Sequence, residues 1–202
     1  MNTDETGQQP SPKAVLRREL LAGRALLTKE NIARNAAALA SAALRLDRLA
    51  DARTVAAYVS VGREPGTRAL LDALRERGVR VLLPVLLADN DLDWALYAGA
   101  EHLLPAGRGL LEPDGLRLGP AAVLEADAVL LPGLAVDREG MRLGRGGGSY
   151  DRVLARLTAA GAHPALVVLL YDDEVLAHVP AEAHDRPVDA VVTPAGVRHF
   201  ER

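Results

Sequence analysis

Residues 54–86 constrain the fold more than any other stretch. They read TVAAYVS, a loop VGREPG, a helical stretch from about Thr67 to Arg77 closed by Gly78, and then VRVLLPVL. Two short apolar runs on either side of a helix form a βαβ unit, which makes its strands parallel and its crossover right-handed. The same elements recur down the chain. DAVLLPGLAV (127–136), PALVVLLY (164–171) and VDAVVTP (188–194) read as further strands, and Leu92 to Tyr97 as a less regular one. A helix from roughly Tyr150 to Ala160 lies between two of them. The stretch Ser11–Leu46 reads as helix, with Ser11 as N-cap, Pro12 at the first helical position and a break and restart at Thr28. The expected architecture is α/β: a single three-layer α/β/α domain over residues 11–202. Its sheet is mostly parallel and Rossmann-like, with about five core strands and helices on both faces. Residues 1–10 are expected to be a disordered tail.

In such a sheet, ligands sit outside the carboxyl ends of the strands. Three loops fall there: VGREPGT, PGLAVDREGMRLGRGGGS and the region around Asp185. Composition narrows what they hold. Cysteine is absent, which excludes disulfides, thiolate zinc sites and cysteine nucleophiles. The opening MNTDETGQQPSP is polar and no run of about 18 apolar residues occurs, so a soluble cytoplasmic protein without membrane contact is expected. The formal charge of −3 argues against a nucleic-acid partner. It hides an asymmetry, however: residues 1–50 carry eight Lys or Arg against five Asp or Glu. A basic first helix that faces an anionic ligand is one reading; a solvated surface is the other.

The segment MRLGRGGGSYDRVLARL (141–157) is the most informative loop. It is not a Walker A loop, since no Gly-Lys-Ser/Thr ends it, and Ser149 stands where a dinucleotide fingerprint has its third glycine. Gly144, Gly146, Gly147 and Gly148 allow a ligand close to the backbone, at the amino end of the following helix. Arg142 and Arg145 add guanidinium groups suited to phosphate. Phosphate binding is favoured over a merely flexible link. Asp151 is either a first-turn acid that favours the helix or a magnesium ligand beside the phosphates. Glu64 and Thr67 read as a polar loop residue and a helix cap, or as site residues. Tyr150 either packs on the sheet or touches ligand, and Asp185 and Asp189 read equally as turn and strand-edge acids. The five histidines, His102, His163, His178, His184 and His199, show no metal spacing.

Taken together, PGLAVDREGMRLGRGGGSYDR closely resembles the signature of the 5-formyltetrahydrofolate cyclo-ligase family, also called 5,10-methenyltetrahydrofolate synthetases. KAVLR, GREPGT, GLLEP (109–113) and VPAEAHDRPVDAVVT follow the family's order over nearly the whole chain. The resemblance implies conversion of 5-formyltetrahydrofolate to 5,10-methenyltetrahydrofolate with ATP and Mg2+, releasing ADP and phosphate. In the implied mechanism the formyl oxygen attacks the γ-phosphate to give an iminium phosphate, and N10 then closes the ring and expels phosphate. A non-catalytic folate- or nucleotide-binding protein on the same fold is the alternative.

Carried over by motif, Lys13 and Arg17 reach the ATP phosphates. Arg142, Leu143, Gly144, Arg145, Gly146, Gly147, Gly148, Ser149 and Tyr150 form the nucleotide cradle, with Arg145 and Tyr150 as catalytic residues. Asp151 and Asp185 hold magnesium, while Glu64 bonds the pterin beside an apolar wall near Val61. A monomer or weak homodimer is expected. The chain departs from the family pattern at Val136 (usually Phe), Ser149 (usually the first of two tyrosines) and Val175 (commonly Gln).

Overall fold

The computed structural model describes residues 10–182 and 185–201. The expected disordered tail, apart from Pro10, and His184 lie outside the described residues. Helix α1 (Pro12–Ala25) begins as expected: the Ser11 side chain accepts from the Ala14 amide, with Pro12 in the first turn. Helix α2 (Lys29–Ala43) restarts behind Thr28, whose hydroxyl accepts from the Asn31 amide. The short α3 (Asp47–Ala50) leads to strand β1 (Thr54–Ala56). Then come α4 (Arg68–Glu76), β2 (Arg80–Leu86) and β3 (Leu92–Leu96). A hairpin of β4 (Leu103–Pro105) and β5 (Leu111–Pro113) precedes β6 (Ala128–Pro132). Strands β7 (Ala135–Val136) and β8 (Arg142–Leu143) form a small ribbon. Helix α5 (Ser149–Ala159), β9 (Ala165–Leu169), β10 (Ala190–Thr193) and β11 (Gly196–His199) complete the order.

The main sheet has seven strands in the order β11-β10-β9-β6-β1-β2-β3. The five inner strands run parallel and correspond to the expected core, while β3 and β11 join antiparallel at the two edges. The five expected core strands are the inner five and the less regular strand expected at Leu92–Tyr97 is the edge β3, so β11 is the one strand of this sheet that was not expected. Strand β11 is half polar and follows β10 through a tight turn, so it lacks the continuous apolar run that marks a buried parallel strand. The first strand was expected to run to Ser60, but β1 stops at Ala56. The Ala57 amide still donates to the Leu82 carbonyl of β2 at 2.8 Å, and Tyr58 and Val59 then stay buried where they line a cavity at the end of the sheet.

Alternation along the strands sorts the core into two faces. Val55, Val81, Leu130, Val167 and Val192 meet Leu39 of α2 and Leu70 and Leu74 of α4. Ala56, Leu82, Val129, Val168 and Val191 meet Val153, Leu154 and Leu157 of α5. This is the three-layer arrangement that the parallel strands demand. No helix among the described residues is long and apolar enough to cross a membrane.

Helix α1 covers neither main face. Leu16 and Leu20 pack on Ala135, Leu143 and Val179 beside the β7–β8 ribbon. Its carboxyl end is fixed by Arg24, which is only 4% exposed and makes a two-pronged bond with Glu174: Nε to Oε1 at 2.6 Å and Nη2 to Oε2 at 2.8 Å. Arg24 Nη2 also donates to the Gly133 carbonyl at 2.7 Å, and the guanidinium lies 5.6 Å from the Tyr171 ring centroid. Burial is the largest influence on Arg24 and works against its charge, but the bond and attraction to Glu174 together with the charges of Glu64 and Tyr58 outweigh it and the pKa is raised. Arg63 adds a cap by donating to the Leu27 carbonyl at 3.0 Å and to that of Ala25.

Removing one partner of such a pair strands the other charge in a dry interior. Glu174→Ala is therefore expected to cost about 3–5 kcal/mol, a fall of roughly 10 °C in Tm, while Arg24→Met combined with Glu174→Leu recovers most of it. Calorimetric melting of the three proteins checks this. A single variant that melts like the parent would contradict the role given to the pair.

Candidate active site

The three loops expected at the carboxyl edge of the sheet meet there around a cavity of about 590 Å³. Val61 and Glu64 line it from the β1–α4 loop, residues 142–151 from the glycine loop, and Asp185 from the late loop. Ser11, Lys13 and Arg17 of the α1 region close one side. A hollow of about 770 Å³ lies at the opposite edge, by the starts of β9 and β10, and none of the expected site residues lines it.

The glycine loop bends through Gly146 (φ 92°) and Gly148 (φ 74°), left-handed values that a side chain would make costly. Gly148 is the residue before α5, so the helix starts at Ser149 and points its amino end into the cavity region. The helix dipole there favours an anion. Arg17 Nε donates to the Gly144 carbonyl at 2.9 Å and so fixes the loop against α1.

Each remaining cation has its own tether. Lys13 Nζ lies 2.6 Å from Asp185 Oδ2 and 3.3 Å from Glu182 Oε1. Arg142 donates to the Pro132 carbonyl at 2.9 Å and to Asp151 Oδ1 at 3.3 Å. Its side chain is buried, and that burial lowers its pKa against the pull of Asp151. Arg145, half exposed, stands 3.4 Å from Glu64 Oε1. The other oxygen of Glu64 accepts from the Val61 amide at 2.8 Å, which ties its own loop. Glu64 is therefore the contact between the β1–α4 loop and the glycine loop.

Thr67 differs from its expected role. It stands before α4 without a side-chain cap; its hydroxyl instead accepts from the Ser60 amide at 2.9 Å and holds the site loop. Asp189 takes the strand-edge reading, accepting from the Leu166 amide at 2.7 Å. Asp137 of the PGLAVD motif is buried and accepts from the Glu139, Met141 and Val179 amides, so it shapes the turn before the glycine loop. Sequence reading missed Tyr58, Arg108 and Glu112, which also line the cavity. The region around Arg108 and Glu112 carries no periodicity, and its place in the site follows only from the β4–β5 hairpin folding over the end of β2.

Among the described residues, two cavity-lining groups keep a buried polar atom without a hydrogen-bond partner: the Tyr150 hydroxyl and Arg142 Nε. Buried polar atoms are nearly always paired, which makes both atoms candidates for a ligand contact. Burial pushes the Tyr150 hydroxyl pKa up, and it remains a neutral donor at working pH.

Comparison with known proteins finds relatives over most of the chain. The model of the 5-formyltetrahydrofolate cyclo-ligase family matches residues 9–194. The chain belongs to the 5-formyltetrahydrofolate cyclo-ligase family. It is 48% identical to the cyclo-ligase of Mycolicibacterium smegmatis over 149 residues, covering 70% of this chain and 74% of that protein. It is 33% identical to the Escherichia coli cyclo-ligase over 148 residues, covering 72% and 80%. The solved 5,10-methenyltetrahydrofolate synthetase of Aquifex aeolicus superposes with a TM-score of 0.80 at 28% identity, over 95% of this chain and 94% of that one.

The departures from the family pattern divide by location. Val136 is fully buried and forms a parallel bridge with Val175, so these two changes are neighbours in the core packing and neither lines the cavity. Ser149 does line it.

Tyr150→Phe removes a hydroxyl that has no protein hydrogen-bond partner. It should leave Tm unchanged or slightly higher while kcat/KM for the family reaction falls about tenfold, the worth of one hydrogen bond made only with ligand. An unchanged kcat/KM would show that the hydroxyl never meets the reactants.

Proposed function

We propose that this cleft binds ATP along the glycine loop and 5-formyltetrahydrofolate beside Glu64, and converts them to 5,10-methenyltetrahydrofolate, ADP and phosphate. The observation that carries the reading is the convergence of Lys13, Arg17, Arg142 and Arg145 on one cavity, at a glycine turn opening a helix. That convergence suits a polyphosphate. Family membership supplies the reaction.

The chemistry needs little covalent help from the protein. The formyl oxygen attacks the γ-phosphorus and ADP leaves. The resulting carbon, activated by the phosphate, is attacked by N10, and phosphate departs with the N10 proton as the ring closes. No proton is removed from the attacking oxygen, so the first step requires no general base. What the step requires is in-line placement and neutralisation of charge on the transferring phosphoryl group. Arg145 and Tyr150 serve as the catalytic donors, and Arg17, Arg142 and the loop from Leu143 to Ser149 cradle the nucleotide. Glu64 orients the pterin through hydrogen bonds, with Val61 beside it.

Asp151 and Asp185 would hold a magnesium ion, which would share the charge of the phosphate oxygens. Among the described residues no group of three or more His, Asp or Glu forms a metal cage. Two carboxylates still fit this ion, because magnesium is commonly held by one or two carboxylates together with substrate phosphates and water.

Purified protein mixed with ATP, magnesium and 5-formyltetrahydrofolate should give the near-ultraviolet absorbance of the methenyl product. Asp151→Ala should shift the magnesium dependence of that rate to higher concentration with little change in Tm. Ligand binding without product would favour a non-catalytic binding protein, and an unaltered magnesium profile would remove Asp151 from the metal site.

A further inference from the structure

Among the described residues, only two have a positive φ without being glycine: Asn90 (φ 65°) and Arg108 (φ 60°, ψ 23°). They lie in different loops, yet they are bonded to each other, Arg108 Nη1 donating to Asn90 Oδ1 at 2.9 Å. Asn90 tolerates this conformation through its short polar side chain, but an arginine there carries steric strain of about 1–2 kcal/mol. Backbone strain of this kind collects at ligand clamps, where the surrounding structure holds it in place.

The surroundings do hold it. Arg156 of α5 grips Asp91 at 2.5 Å and so secures the β2–β3 turn next to Asn90. Glu112 accepts from the Leu86 amide at 2.9 Å and secures the β4–β5 hairpin against the end of β2. Arg108 sits on that hairpin and lines the active-site cavity.

Its electrostatic position is unusual in this cleft. Lys13, Arg142 and Arg145 each face a carboxylate within 4 Å, whereas among the described residues Arg108 has no such partner and bonds only to a neutral amide oxygen. The same is true of Arg17, but Arg17 is committed to the glycine loop. Leu86, Leu92, Leu110 and Leu111 line the same cavity, and Leu110 and Leu111 follow Arg108 on its hairpin.

These surfaces match the groups of the substrate in kind: cations at the glycine loop, leucines on the wall and a guanidinium on the hairpin. A reduced pterin carries the reacting formyl group, followed by a flat benzoyl ring and then a glutamate with two carboxylates. We infer that Arg108 receives the glutamate carboxylate of the folate substrate. It is a specificity residue for the tail, set by the left-handed turn and by Asn90. The inference rests on the proposed placement of ATP on the glycine loop and of the pterin beside Glu64. The apolar wall accommodates the benzoyl ring, and the guanidinium, held by a single neutral acceptor, keeps donors for a two-pronged carboxylate bond.

The test compares 5-formyltetrahydrofolate with the corresponding 5-formyltetrahydropteroate, which lacks glutamate. Arg108→Gly accepts the positive φ without strain, so the fold is preserved as the guanidinium is lost. For the glutamate-bearing substrate, Arg108→Gly should raise KM about tenfold or more with kcat within twofold of the parent, as expected for a charge-assisted bond equal in ground and transition states. For the pteroate compound the two proteins should share one KM. Arg108→Lys should recover part of the discrimination, keeping charge without the fork. Equal KM changes for both compounds, or no change for either, overturn the inference while leaving the reaction intact. Parent protein that makes methenyl product from neither compound removes the proposed activity, and the inference with it.

Discussion

The buried bond between Arg24 and Glu174 is the constraint on which the site depends. Helix α1 packs only on the small β7–β8 ribbon and not on either main face of the sheet, so its hydrophobic contact is modest. Leu16 and Leu20 share a stripe with Lys13, Arg17 and Arg24, one to two turns apart, so whatever fixes Arg24 also aims the cations. Arg24 reaches the Gly133 carbonyl just after β6 and Glu174 just after β9, both at the carboxyl edge of the sheet. The helix is thereby held across the edge where a parallel sheet gathers its ligands. A buried ion pair is weak evidence for net stability, because desolvation offsets most of its attraction. Its value in this fold is register: a two-pronged arginine bond admits one orientation of the helix.

The cavity is organised in the same manner before any ligand arrives. Lys13 is tied to Asp185, Arg17 to the Gly144 carbonyl, Arg142 to Pro132 and Asp151, and Arg145 to Glu64. Long cationic side chains lose rotamer freedom on binding an anion, and tethers of this kind reduce that loss. A phosphoryl transfer depends on placement and fixed charge, so such preorganisation is the main contribution that a protein can make. The buried Tyr150 hydroxyl and Arg142 Nε take no protein partner and so keep donors for a ligand.

Much of this was legible in the residues. The βαβ pattern specified the parallel core, and the signature around 132–152 located the loop that the cavity uses. Strand limits were harder to read: the edge strand β11 carries a half-polar pattern, and β1 stops early because Tyr58 and Val59 are apolar for the sake of burial and not of pairing. The ionic frame was not readable at all. Nothing in RELLAGRALL distinguishes Arg24 from Arg18, because the difference is a partner 150 residues away. Arg108 was equally hidden, since a left-handed arginine leaves no pattern in sequence. The departures at Val136 and Val175 looked independent in the chain, yet they adjoin each other in the core.

The central claim is that one cleft aligns a formyl oxygen with the γ-phosphate of ATP, so that oxygen is transferred as the ring closes. It is tested most directly by following that atom. With a heavy isotope of oxygen in the formyl group of 5-formyltetrahydrofolate, mass spectrometry of the phosphate released during methenyl formation should find the label in the phosphate, one atom per turnover. Methenyl product accompanied by unlabelled phosphate would contradict the account.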